Sequence, residues 1–158
     1  MGTTLDILRR LSEHGVEFAI VGGLAGVAHG SSLVTEDLEV CVPLTLENVS
    51  RILAALADLN PRWRMPPSHP PVLPDASKLA GFKNLYILSD WGQVDFLSDI
   101  TGIGDYAEAS RRSVTLDIAG RPCRVLSLDA FIEAKRAMGR PKDIQAAIEL
   151  EAIRERLP

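Results

Sequence analysis

The sequence predicts an α/β fold of the α+β kind, in which a mixed β-sheet carries flanking helices. Three observations predict it. Helical and strand periodicities alternate over the first sixty residues, two hairpin patterns follow, and the chain closes on two helical segments separated by Gly139. Alternation followed by hairpins gives a sheet with both parallel and antiparallel neighbours, not a doubly wound parallel one. The 158 residues suit one domain around one core, spanning 1–158.

Leu5, Leu8 and Leu11 recur at helical spacing, so residues 4–14 read as a helix that Gly15 stops. Phe18 to Val21 is a short apolar strand ending at Gly22-Gly23, and Leu24 to His29 is a short helical turn closed by Gly30. From Asp37 to Val42 acidic and apolar residues alternate with the period of a strand, and Pro43 ends the run. Thr45 caps a helix running to about Leu59, with Val49, Ile52, Leu53 and Leu56 on one face. Residues 61–74 hold six of the ten prolines. Proline at that density supports neither ladder nor helix, so the segment reads as a surface loop flanking a cleft, with a polyproline ligand as the alternative. Asn84 to Leu88 and Gln93 to Leu97 form one hairpin, and Ser113 to Ile118 and Arg121 to Leu126 a second around Ala-Gly. Two C-terminal helices occupy 128–157. Ser127 caps the first, and Pro141 takes the first position of the second.

Composition excludes several classes. No stretch nears the roughly 18 apolar residues of a membrane helix, and the start MGTTLDILRRLSEHG lacks the pattern of a secretion signal. Asp6 stands where a myristoylation motif needs Ser or Thr. Cys41 and Cys123 both fall in strands and read as small core residues in a reducing, cytoplasmic setting. A net charge of −4 weighs against broad nucleic-acid binding. The first sixty residues hold three basic and eight acidic side chains, the remainder fourteen and thirteen. That asymmetry suits two walls of a metal-phosphate cleft, although from charge alone scattered surface charge is the preferred account. His14, His29 and His69 lack metal-ligand spacing, and neither a Gly-x-Ser-x-Gly elbow nor a Walker loop occurs.

The acids that call for chemistry are Asp37, Glu39 and Asp95. Asp37 and Glu39 are two apart in a strand and project from one face, roughly 6–7 Å apart, while Leu38 and Val40 point into a core. Two such carboxylates repel by roughly 2 kcal/mol at an effective dielectric of about 20. A divalent cation between them turns that repulsion into attraction. Asp95 lies between Val94 and Phe96, so it faces away from the core; alone it reads as a solubilising charge, with the other two as a third ligand of a two-metal site. Gly22 and Gly23 follow a strand and open a helical turn, where missing Cβ atoms let a phosphate approach the backbone amides. Lys135 falls on the apolar stripe of Leu128, Phe131, Ile132 and Met138, where it must snorkel or meet an anion. Arg140 and Lys142 follow the glycine break and could serve the same phosphates or simply be solvated.

The stretch VGGLAGVAHGSSLVTEDLEV resembles the signature of the DNA-polymerase-beta-like nucleotidyltransferase superfamily: apolar, Gly, Gly or Ser, nine to thirteen residues, then Asp, apolar, Asp or Glu, apolar. Thirteen residues separate Gly23 from Asp37, and Glu39 is the less common of the two permitted acids. Asp95 matches the third carboxylate, which the family places on a later strand. The tail, with Lys135 and Gly139-Arg140-Pro141-Lys142-Asp143, is similar to a small bacterial branch related to abortive-infection and toxin–antitoxin nucleotidyltransferases; Ala146 stands where that branch often has a further Asp. The resemblance spans roughly residues 16–151 and implies a nucleotidyltransferase-like fold. It also implies roles. Asp37 and Glu39 would bind Mg2+ (or Mn2+), and Asp95 would complete the metal site and help deprotonate the acceptor. Gly22, Gly23, Lys135, Arg140 and Lys142 would hold a nucleoside triphosphate. The expected activity is transfer of a nucleoside monophosphate to a hydroxyl of an RNA end, a protein or a small molecule. The alternative is a catalytically inactive binding module of the same fold, such as a toxin–antitoxin component with its partner, which Glu39 and the small size favour. No membrane association is expected.

Overall fold

The computed structural model describes residues 2–31, 37–65 and 67–158. Residues 32–36 in the spacer of the glycine–acid motif, and Pro66 of the proline-rich loop, lie outside the described residues.

The first helix, α1 (Thr4–Glu13), starts from Thr3, whose backbone N–H donates to the Asp6 carboxylate at 2.7 Å. It buries Ile7, Leu8 and Leu11, whereas Leu5, expected on the stripe, falls at its flank and is exposed. Strand β1 (Ala19–Val21) is wholly buried and runs directly into α2 (Gly22–Ala28), so that helix begins two residues before Leu24. Strand β2 (Leu38–Cys41) follows. Helix α3 (Leu46–Leu56) has Thr45 as its cap, the hydroxyl accepting from the Asn48 N–H at 3.2 Å. It buries Val49, Ile52, Leu53 and Leu56 as the periodicity requires. It stops short of Leu59, because the chain turns through Leu59 to Asn60, whose φ is +52°.

The proline-rich segment contains a strand, contrary to expectation: β3 (Arg62–Trp63) pairs with β4 (Asn84–Ser89) and bridges Arg62 to Pro71. The ladder survives because the prolines contribute carbonyls and their neighbours contribute donors. Trp63 N–H donates to Pro70 O at 2.8 Å, Val72 N–H to Pro61 O at 3.0 Å, and Arg64 N–H to Tyr86 O at 3.0 Å. A short helix, α4 (Ala76–Leu79), leads into the hairpin of β4 and β5 (Gly92–Leu97). Next come a two-stranded ribbon, β6 (Asp99–Ile100) with β7 (Gly104–Asp105), and α5 (Tyr106–Arg111), none of them anticipated. The hairpin of β8 (Ser113–Ile118) and β9 (Arg121–Leu126) turns at Ala119-Gly120, both at positive φ. The chain ends with α6 (Leu128–Met138), capped by Ser127, and α7 (Pro141–Arg156) with Pro141 in its first turn. Gly139 between them sits at φ +70°.

The main sheet has the order β3-β4-β5-β2-β1-β9-β8. β2–β5 and β1–β9 are parallel and the other pairs antiparallel, so the sheet is mixed, as the alternation predicts. Leu38, Val40, Leu85, Ile87, Val94 and Phe96 alternate onto one face and are fully buried. α1 packs on α3, and α6 packs against α7 and α2. Cys41 and Cys123 are buried free thiols, with Cys41 pushed up to about 12 by burial. Among the described residues no helix is long and apolar enough to cross a membrane.

Candidate active site

Because neighbouring strands share a register, one row of side chains crosses the sheet on the face opposite the apolar one. Tyr86 on β4 opposes Asp95 on β5, Asp95 opposes Glu39 on β2, and Glu39 opposes Val21 at the end of β1. The next residue, Gly22, has φ +69°, and a Cβ built there would lie 2.8 Å from Glu39 Cδ. Only glycine lets the β1–α2 turn close this tightly on the Glu39 carboxylate.

Asp95 carries the most unusual environment. It is 8% exposed, its Oδ2 lies 3.3 Å from Arg64 Nη2, and its Oδ1 is buried with no hydrogen-bond partner among the described residues. Burial pushes its carboxyl up to about 6; Arg64 opposes the rise, and Glu39 and Asp37 add to it. An orphaned carboxylate oxygen beside a second carboxylate is a group waiting for a cation or a proton.

Glu39 and Asp95 floor a cleft of about 520 Å³ whose opposite wall is α6 and the start of α7, with Phe131, Lys135, Arg140 and Lys142. The Lys135 ammonium lies 5.5 Å from the Phe131 ring centroid and 3.6 Å from Asp143 Oδ1. Arg140 Nη2 donates to Asp143 Oδ1 at 3.1 Å, and Nε to Oδ2. Asp143 is 1% exposed, and the Arg140 guanidinium holds its carboxyl below the usual range, with Lys135 adding to the effect. The lysine on the apolar stripe therefore carries its ammonium to an acid at the edge of the sheet-facing cleft. It edges the cleft and is set in place by a buried acid.

The cleft brings together Gly22, Glu39, Asp95, Lys135, Arg140 and Lys142 from the sequence expectation. It does not include Asp37, which is exposed just before β2 and borders a separate depression with Thr3, Thr4 and Trp91, although its charge is felt at Asp95. Gly23 occupies the first turn of α2, one residue beyond the cleft lining. Among the described residues no three His, Cys, Asp or Glu side chains gather around one point. His29 bonds the Leu126 carbonyl at 2.8 Å, which fits a helix-end structural role. Arg64, hidden in the proline-rich segment, escaped the sequence reading. Asp143 stood in the tail motif with no role assigned to it, and its burial beside Lys135 and Arg140 was not foreseen.

No family model matches the chain, and no curated protein matches it in sequence. Solved structures do match in fold. A proposed nucleotidyltransferase from Thermotoga maritima superposes with a TM-score of 0.59 at 15% identity, over 94% of this chain and 92% of that one. The antibiotic-resistance factor ANT(2'')-Ia, solved in solution, gives 0.56 at 19% identity, over 96% and 88%. Its crystal structure with adenylyl-2''-tobramycin gives 0.55 at 18% identity, over 94% and 91%. The fold is that of the nucleotidyltransferases.

Proposed function

We propose that the chain transfers a nucleoside monophosphate from a nucleoside triphosphate to a hydroxyl acceptor. The observation that carries this reading is the register-matched pair Glu39 and Asp95, with its unsatisfied oxygen, facing a cationic wall across one cleft. Glu39 and Asp95 fit a hard divalent cation, Mg2+ or Mn2+, which takes one or two carboxylates and completes its shell with phosphate oxygens and water. Asp37, two residues before Glu39, would join them. Such an ion, when bound, neutralises charge building on the phosphates. Lys135 and Arg140, held by Asp143, and Lys142 would take the β- and γ-phosphates, and the backbone at Gly22-Gly23 would approach them. Asp95, whose carboxylate lines the cleft, would also take the acceptor proton as a base. The acceptor oxygen bonds to the α-phosphorus, the bond from that phosphorus to the bridging oxygen breaks, and pyrophosphate leaves with the electron pair.

One domain over residues 1–158 is proposed to carry the whole reaction, with a small molecule favoured as acceptor over an RNA end or a protein, as in the tobramycin adduct of the similar fold. The placement of Asp37 outside the cleft favours a second reading, a module that binds nucleotide, or a toxin–antitoxin partner, without transfer. Thermal melts of wild type and Asp37→Asn, with and without magnesium and triphosphate, discriminate them. The catalytic reading expects the mutant alone to match wild type or be slightly more stable, and to lose the ligand-induced gain; an equal gain in both supports the module. Incubation with each labelled triphosphate, magnesium and candidate acceptors tests transfer itself.

A further inference from the structure

Beside the cleft lies a second, larger cavity of about 680 Å³, built by the proline-rich segment and α4 against the edge of the sheet. Its wall is apolar. Trp63 and Phe82 stack with ring centroids 6.4 Å apart and planes 24° from parallel, and Met65, Leu73, Phe82 and Tyr86 are large apolar side chains left exposed around it. Exposed apolar residues gathered around one concavity mark a binding site rather than scattered surface.

The two cavities share Asn84 and Tyr86 as a common wall. Asn84 Nδ2 donates to the Tyr86 hydroxyl at 2.9 Å, and the Arg64 guanidinium lies 4.9 Å from the Tyr86 ring centroid while pairing with Asp95. The apolar cavity therefore opens beside Asp95, on the β3–β4 side of the carboxylate pair, while Lys135 and Arg140 lie on the α6 side. In an in-line displacement the acceptor enters opposite the leaving pyrophosphate. If the cations hold the pyrophosphate, the acceptor enters from the apolar cavity.

We infer that this cavity is the acceptor subsite, and that the acceptor is a small molecule with a flat apolar body and a hydroxyl, neutral or anionic. The inference rests on the nucleotidyl-transfer reading of the neighbouring cleft. The cavity offers a polycation no excess of acid: among its described lining residues Lys78 faces Asp75 at 4.0 Å, and Arg64 faces Asp95 at 3.3 Å. A stacked aromatic pair offers a ring system a face to lie on, and a hydroxyl at the Tyr86 end of that body would point toward Asp95.

The test is calorimetric titration of the full chain with 2-naphthol, 6-hydroxy-2-naphthoate, tobramycin and adenosine, followed separately by ATP with magnesium. Saturable binding of the two naphthols is expected, at least tenfold weaker in Trp63→Ala and in Leu73→Lys, whose exposed side chain holds no core together. Tobramycin should bind at least tenfold more weakly than either naphthol, and ATP affinity should stay within twofold in both variants. Absence of saturable naphthol binding, or binding unaffected by both variants, overturns the inference. Adenosine displacing the naphthols overturns it by making the cavity a nucleobase site, and a wild-type dimer that Leu73→Lys dissociates overturns it by making the surface an interface. Failure of ATP to bind with magnesium strikes the transfer reading instead, whatever the naphthols do.

Discussion

Glu39 and Asp95 stand opposite each other in parallel register on β2 and β5, and Arg64 is the cation that Asp95 meets on its other side. Three forces therefore set the Asp95 proton: burial and the neighbouring acids raise its affinity, and Arg64 lowers it. A carbon-detected NMR titration of the Asp95 carboxyl should give a midpoint of about 6. Arg64→Ala should move the midpoint up, and Glu39→Gln should move it down. A wild-type midpoint at the ordinary 3.8 contradicts this electrostatic picture.

The same proton governs stability without metal. Its folded affinity is raised, so the stabilisation is full below 3.8, where both states are protonated, and is lost as pH rises through about 6. The loss is at most about 3 kcal/mol. Asp95→Asn should remove this slope and, at about pH 8, be roughly 1–3 kcal/mol more stable than wild type in chelator. Denaturant melts across pH measure it. A mutant less stable than wild type at high pH assigns the carboxylate a structural role.

Gly22→Ala places a methyl group against the Glu39 carboxylate in a left-handed backbone. Strain of this kind costs about 1–2 kcal/mol. Because the clash is with the site itself, magnesium-dependent nucleotide binding should fall further than the melting temperature suggests. Ordinary binding in a folded Gly22→Ala protein removes the close approach from the mechanism.

Asp143 is buried between Lys135 and Arg140. Asp143→Asn should destabilise the protein by roughly 1–2 kcal/mol, because it loses its charge-assisted hydrogen bonds while Arg140 stays half-exposed to water. Triphosphate binding should weaken as well, since both cations lose the group that positions them. A silent mutant in thermal melts and calorimetry frees the two cations from that anchor.

The alternation around Glu39 and Asp95 made their facing legible, because the period of a strand fixes which side chains share a face. The caps Thr45 and Ser127, the Ala119-Gly120 turn and Pro141 were legible for similarly local reasons. Their pairing was not: nothing in the sequence says that β2 lies beside β5 in this register, which depends on long-range packing. β3 was hidden because proline density argues against donors, while the strand takes its donors from Trp63 and Arg64. Asp143 was visible in the tail motif, but its burial was not, because an acid near a helix start is ordinarily solvated.

Glu39 and Asp95 should together make triphosphate binding depend on a divalent ion. Calorimetric titration of ATP into wild type, Glu39→Gln and Asp95→Asn, each in magnesium and in chelator, measures it. Binding in magnesium at least tenfold tighter than in chelator, with the difference erased in both mutants, is the predicted result. Binding equally tight in chelator, or a magnesium effect that persists in both mutants, would contradict it.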